Sequence, residues 1–165
     1  MKMVFSILVE NTSSVLSHVS GLFSRRGYNI HSISAGVTAD PRYTRITIVA
    51  EGDELILEQI EKQLAKLEDI IDVKKLLPGN SVTRELMLVK VAAGNDELRQ
   101  SLVTLVELYH AKVVDVTKEA LIIEINGTSS KLEAFLEMLS DYEILELART
   151  GITGLSRGTD DVKYL

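Results

Sequence analysis

The sequence predicts an α+β protein made of two ferredoxin-like sandwiches, each with the order β-α-β-β-α-β. Three observations carry that expectation. Period-two apolar runs and helical apolar stripes succeed one another twice in the same order. The breaks between them hold capping and turn residues. A Pro-Gly-Asn-Ser stretch at residues 78–81 separates the two repeats and is the best linker in the chain. The 165 residues divide into one domain at 1–78 and a second at 83–165, each long enough for a small core.

In the first repeat, Phe5, Ile7 and Val9 alternate with Val4, Ser6 and Leu8, a strand apolar on both faces except at Ser6. Residues 10–14, Glu-Asn-Thr-Ser-Ser, supply side chains suited to capping a helix start. Val15, Leu16, Val19, Leu22 and Phe23 then keep helical spacing, and Gly27 is the expected residue just past the helix end. Residues 28–37 read as extended, up to a turn at Thr38-Ala39-Asp40-Pro41. Tyr43–Glu51 is a strand with Ile46, Ile48 and Ala50 on one face and Thr47 and Val49 on the other. Asp53 caps a helix that turns Leu57, Ile60, Leu64 and Leu67 inward and pairs Glu58 with Lys62 on its wet face. Residues 70–77 close the repeat as a strand.

The second repeat runs in parallel. Residues 86–93 read as a strand and Gly94-Asn95-Asp96 as a turn and cap. Leu98, Leu102, Leu105, Val106 and Tyr109 form a helical stripe. Residues 112–117 and 120–126 make a tight hairpin through Lys118-Glu119. Ser130 and Glu133 have capping-box spacing, ahead of Leu132, Phe135, Leu136 and Leu139. Residues 143–149 are the closing strand, and the glycine-rich stretch 148–158 reads as a flexible end that matches neither GxGxxG nor a P-loop. With both helices on one sheet face, the outward positions hold too many Ile, Val and Leu for water, so a face or an edge meets a partner; a homodimer through edge strands is the simplest solution.

Composition narrows the function classes. A net charge of −6 and a pI near 5.1 argue against nonspecific binding to nucleic acid or anionic membrane. An RNA-recognition module shares this element order but stacks bases on sheet aromatics, and residues 45–50 carry none. There is no cysteine, and His18, His31 and His110 are scattered, so no metal site is assigned. No nucleophile–base grouping is visible, and Glu58, Glu61, Glu68 and Asp69 read as solvated helix faces; no catalytic residue is assigned. The N-terminus has no signal-peptide pattern and no apolar window approaches membrane length, so the expected place is the cytoplasm.

One segment invites a ligand. A polar strand-to-helix turn at residues 10–14 sets free N–H groups at the positive end of a helix, a place for a small anion. Without a Gly-rich run or a Lys, a carboxylate suits it better than a triphosphate, although a capped core helix without ligand fits the same residues. Arg25 and Arg26 either complement the helix dipole or form an exposed basic spot. Asn29 is either a turn residue or a ligand contact.

Taken in combination, several runs resemble the acetolactate (acetohydroxyacid) synthase small subunit, a family with an N-terminal ACT domain. They are Glu10-Asn11 with Val15-Leu16, Gly21-Leu22-Phe23-Ser24-Arg25-Arg26-Gly27-Tyr28-Asn29-Ile30, and residues 58–64 and 84–91. Asp115-Val116-Thr117, residues 127–135 and Ala148-Arg149-Thr150-Gly151 complete the set, which spans nearly the whole chain. The resemblance implies a regulatory homodimer that binds and activates a catalytic large subunit and confers inhibition by a branched-chain amino acid, usually valine. It places thiamine diphosphate, Mg2+ and FAD on that catalytic subunit and none in this chain. The alternative is an ACT-domain sensor regulating another enzyme. The resemblance puts the effector between two N-terminal domains, at Asn11, Ser14, Val15 and Leu16 of one copy and Asn29 and Ile30 of its neighbour. Chemistry agrees: N–H groups of Ser14, Val15 and Leu16 suit a carboxylate, Asn11 an ammonium, and Leu8, Val15 and Ile30 an aliphatic side chain. The family often carries glycine where this chain has Ser14, which would permit positive φ or a closer ligand approach.

Overall fold

A computed structural model of the chain describes residues 1–159. In chain order the elements are β1 (Lys2–Glu10), α1 (Val15–Arg26), β2 (Asn29–Val37), β3 (Tyr43–Glu51), α2 (Glu54–Ala65) and β4 (Ile70–Leu76). They continue as β5 (Ser81–Ala92), α3 (Asp96–Leu108), β6 (Lys112–Val116), β7 (Ala120–Gly127), α4 (Ser129–Met138), β8 (Ile144–Arg149) and β9 (Thr153–Ser156). Two compact units result: Met1–Val82 together with residues 152–159, and Thr83–Gly151.

The first unit is a four-stranded sheet of order β2-β3-β1-β4, antiparallel throughout. Phe5, Ile7 and Val9 of β1 and Ile46, Ile48 and Ala50 of β3 face Val15, Val19, Leu22 and Phe23 of α1 and Leu57, Ile60 and Leu64 of α2. Each such side chain removed from water stabilises the fold by about 1.5–3 kcal/mol. Gly27 ends α1 at φ 66°, with Tyr28 N–H donating to Phe23 O at 3.0 Å, the glycine-terminated stop its sequence announces. Asp53 caps α2 by accepting from Ile56 N–H at 2.8 Å. Gly52 precedes it because a Cβ there would lie 2.7 Å from Ile56 Cγ2.

The opposite face of this sheet departs from expectation. Ser6, Leu8, Thr47 and Val49 are at most 3% exposed, so the centre of that face is already covered within the chain. The stretch expected to be a flexible end is part of the reason. Ile152 O accepts from Ser34 Oγ at 2.9 Å, Arg157 N–H donates to Asn80 O at 2.7 Å, and Thr153 and Leu155 lie against the Ser34–Arg45 side. Residues 152–159 therefore group with the first unit, where the sequence division into 1–78 and 83–165 puts them with the second. Ser6, the one polar residue between Met3 and Val9 of its strand, accepts from Arg45 Nη1 at 2.8 Å.

The second unit has strand order β6-β7-β5-β8 and packs Met87, Val89, Val91, Leu121, Ile123 and Ile125 against Leu102, Leu105, Val106, Leu132 and Phe135. Asn95 caps α3 by accepting from Leu98 N–H at 2.8 Å. The capping box expected of Ser130 and Glu133 does not form. Thr128 is the cap, accepting from Lys131 N–H at 3.3 Å, and Glu133 instead takes Arg149 Nη1 at 2.6 Å. β5 starts at Ser81, five residues before the expected 86. Away from the helices this sheet shows Leu88, 38% exposed, beside a Lys90–Glu146 ion pair of 2.7 Å.

Candidate functional site

The loop from Glu10 to Val15 is held from both sides. On the β3 side, Asn11 N–H donates to Arg42 O at 2.8 Å and Asn11 Nδ2 to Pro41 O at 3.0 Å. Thr44 Oγ1 donates to Asn11 Oδ1 at 3.1 Å. The Asn11 side chain is thus already oriented, and its carbonyl oxygen keeps one lone pair for a further donor. The turn it leans on is rigid: Arg42 grips Asp40 through Nε and Nη2, at 3.0–3.1 and 2.6 Å. Those hydrogen bonds, and the one from Arg42 N–H, hold the Asp40 carboxyl below its ordinary range. On the β4 side, Glu10 N–H donates to Asp69 O at 3.0 Å.

Ser14 begins α1 but makes no side-chain cap bond, and its φ of −93° and ψ of −10° are ordinary right-handed values. The glycine common in the resembling family is therefore not required here for backbone conformation; the Ser14 side chain bears only on how closely a guest can approach. Val15 N–H reaches Thr12 O at a long 3.4 Å, and His18 N–H takes Ser14 O. The first-turn donors of α1 thus point into a loop with no side-chain oxygen capping them, at the positive end of a 12-residue helix.

The apolar wall differs from expectation. Val15 is 3% exposed and packed into the core, so its side chain is no part of a wall at this loop. Leu8 is buried on the sheet face away from the helices and lines nothing at this loop. Leu16, half exposed, is the aliphatic group that remains at the mouth.

Asn11, Ser14, Val15 and Leu16 come together. Asn29 and Ile30 do not join them within one chain. Asn29 pairs with Glu51 and Ile30 with Ala50, whereas the loop follows Glu10, which pairs with Tyr43. The nine residues of β3 from Tyr43 to Glu51 separate the two groups by eight steps, roughly 27 Å at about 3.4 Å per residue. Sequence reasoning also passed over Asp69, read as a solvated carboxylate. Its side chain bonds His18 Nδ1, a contact between residues 51 apart that no local pattern announces.

Among the described residues no cluster of three or more His, Asp or Glu side chains is placed to hold a metal, and no helix is long and apolar enough to cross a membrane. A βαββαβ sandwich with a polar strand-to-helix loop that no side chain caps, followed in sequence by a second such sandwich, has the architecture of the ACT class of domains. The comparisons carry this further. Residues 5–72 match the AHAS small subunit-like ACT domain, and residues 84–158 match the small subunit of acetolactate synthase. The chain is 47% identical to the acetolactate synthase isozyme 3 small subunit of Escherichia coli, over 96% of this chain and 97% of that one. It is 46% identical to a probable acetolactate synthase small subunit of Methanothermobacter thermautotrophicus, over 94% and 93%. The crystal structure of the acetolactate synthase small subunit from Thermotoga maritima superposes with a TM-score of 0.86 at 42% identity, covering 96% of this chain and 99% of that one. The chain belongs to the acetolactate synthase small-subunit family, whose members are regulatory and not catalytic.

Proposed function

We propose that this chain activates the thiamine-diphosphate-dependent catalytic subunit of acetolactate synthase and makes it sensitive to a branched-chain amino acid, valine first. Thiamine diphosphate, Mg2+ and FAD belong to that catalytic subunit. The effector carboxylate sits on the first-turn N–H groups of α1 around Ser14, Val15 and Leu16, and its ammonium on Asn11 Oδ1.

The observation that supports this reading is that the two candidate segments lie at opposite ends of one sheet. Asn29 and Ile30 lie at the end of the sheet away from the loop, and β2 is an edge strand. Val37, at the far end of β2, pairs with Thr44 and so stands at the loop end. Antiparallel pairing of β2 with β2 of a second copy brings Asn29 of one copy to the loop end of the other, and a two-fold axis does this twice. Pairing through β4, the other edge, leaves both Asn29 residues at the outer margins. A homodimer through β2 therefore completes two effector sites.

The test is reconstitution. Acetolactate formation by the catalytic subunit is measured alone, with this chain, and with this chain plus valine. Higher turnover on mixing and its loss on adding valine support the proposal. Unchanged turnover on mixing overturns the activating role, and activation indifferent to valine, leucine and isoleucine overturns the effector role.

A further inference from the structure

Asp69 touches the two elements that flank the effector loop. Its backbone carbonyl accepts from Glu10 N–H at 3.0 Å, at the last residue of β1. Its carboxylate bonds Nδ1 of His18, whose own N–H holds Ser14 O across the first turn of α1. The Asp69 side chain is 20% exposed and that of His18 is 54% exposed, so the contact joins a partly buried carboxylate to an exposed ring. β1 and β4 shift register by a bulge between Leu8 and Val9, which lets the chain before Ile70 swing toward Glu10.

We infer that His18 and Asp69 are positioning residues for the effector: the pair sets the first turn of α1 at a fixed distance from the end of β1. This rests on the effector reading above and adds its control element. Asn11 is fastened to the Pro41–Arg42 turn on one side, and the His18–Asp69 contact supplies the matching restraint on the other. A carboxylate that must meet two or more helix N–H groups and an ammonium that must meet Asn11 Oδ1 need both ends of the loop at one spacing. Holding that spacing in the free protein removes an ordering cost from binding. Neither side chain is assigned a contact with the ligand.

The test uses the full-length chain with His18→Ala, Asp69→Ala, the double variant, His18→Arg and Asn11→Ala. Valine affinity is measured by calorimetry, and amide hydrogen exchange in the valine-free chain. His18→Ala and Asp69→Ala should each weaken valine binding roughly three- to tenfold, and the double variant no more than either alone, because the two act as one unit. His18→Arg keeps a donor for Asp69 and should restore affinity, which a role in packing alone does not predict. Exchange at residues 10–16 should quicken in both alanine variants by more than exchange at the core amides, which separates a local loosening from a general loss of stability. Unchanged exchange overturns the restraint without reference to any ligand. Quickened exchange with unchanged valine affinity also overturns the inference, and if Asn11→Ala still weakens binding in that case, the effector reading survives it. Unchanged affinity in Asn11→Ala as well removes the site reading and this inference together.

Discussion

Arg149 on β8 holds Glu85 on β5 through two parallel hydrogen bonds, Nε to Oε1 and Nη2 to Oε2, each 2.9 Å. The Glu85 side chain is 6% exposed, and Ser129 Oγ donates to its Oε2 at 3.1 Å, which ties the start of α4 into the same pair. Glu85 is the main reason the guanidinium is held in its charged form more firmly than usual, with Glu133 adding to it. The fork geometry of Arg matches a carboxylate in a way Lys does not.

Arg149→Met should therefore leave a buried carboxylate without a counter-ion. The expected loss is about 2–4 kcal/mol in urea unfolding, lower in that range because Arg149 keeps some contact with water. Glu133→Gln, which removes only the exposed partner, should cost well under half as much. Equal losses in the two variants would show that burial of Glu85 is not the source.

Acid should loosen the turn beside Asn11. The Asp40 carboxyl is held below its ordinary value of 3.8, chiefly by hydrogen bonds from the Arg42 side chain and then from its N–H. A depressed carboxylate contributes stability that is fully present above 3.8 and is lost as pH falls through the depressed value. Exchange at Asn11 N–H, which bonds Arg42 O, should quicken in that acid window relative to core amides, and Asp40→Asn should show the quickened rate already at neutral pH. An Asn11 amide that tracks the core amides through that window contradicts the linkage.

Two substitutions on Asn11 and Ser14 address the ligand itself. Asn11→Ala removes the acceptor offered to the effector ammonium, and loss of a hydrogen bond to a charged group costs roughly 1.5–3 kcal/mol, or about tenfold or more in affinity. Valine inhibition should weaken accordingly while activation without valine survives. Ser14→Gly should strengthen binding if its side chain crowds the carboxylate. Because Ser14 already has right-handed dihedrals, the gain can come only from space and is offset in part by glycine's flexibility. Calorimetry on both decides it; unchanged affinity in both puts the effector elsewhere.

Helix ends offer a stability check. Gly27→Ala places a Cβ at φ 66° and should cost about 1 kcal/mol. His110 sits at φ 52° just after α3, where glycine is easier, so His110→Gly should be neutral or gain up to about 1 kcal/mol. A loss for Gly27→Ala without a loss for His110→Gly in denaturant unfolding is the expected result.

Association through the β2 edge can be separated from general surface effects. Val37 on β2 is 58% exposed and Leu55 on α2 is 65% exposed. Val37→Asp should shift light scattering toward monomer at micromolar concentration, while Leu55→Asp should not. A monomeric wild-type chain, or equal effects of the two changes, would overturn the β2 dimer.

Both sheets, both helix pairs and most element ends were legible in the sequence because each rests on local physics. Period two at Phe5, Ile7 and Val9, the 3-4 stripe through Leu57, Ile60 and Leu64, Asp53 as cap and Gly27 as stop all act within a few residues of themselves. The polar helix start at residues 10–14 was legible for the same reason, although the side-chain cap expected there does not form. What depends on distant partners was not. Glu133 abandons a capping box for Arg149, Leu8 faces the covered side of its sheet, and β9 forms where the glycine pattern promised only a flexible end. Asp69 looked like a solvated carboxylate until the fold set His18 beside it, 51 residues away in sequence. The separation of Asn29 from the loop belongs to the same class. Register alone puts them at opposite ends of one sheet, because pairing along β3 is decided by the burial of a whole face and not by any residue in either motif.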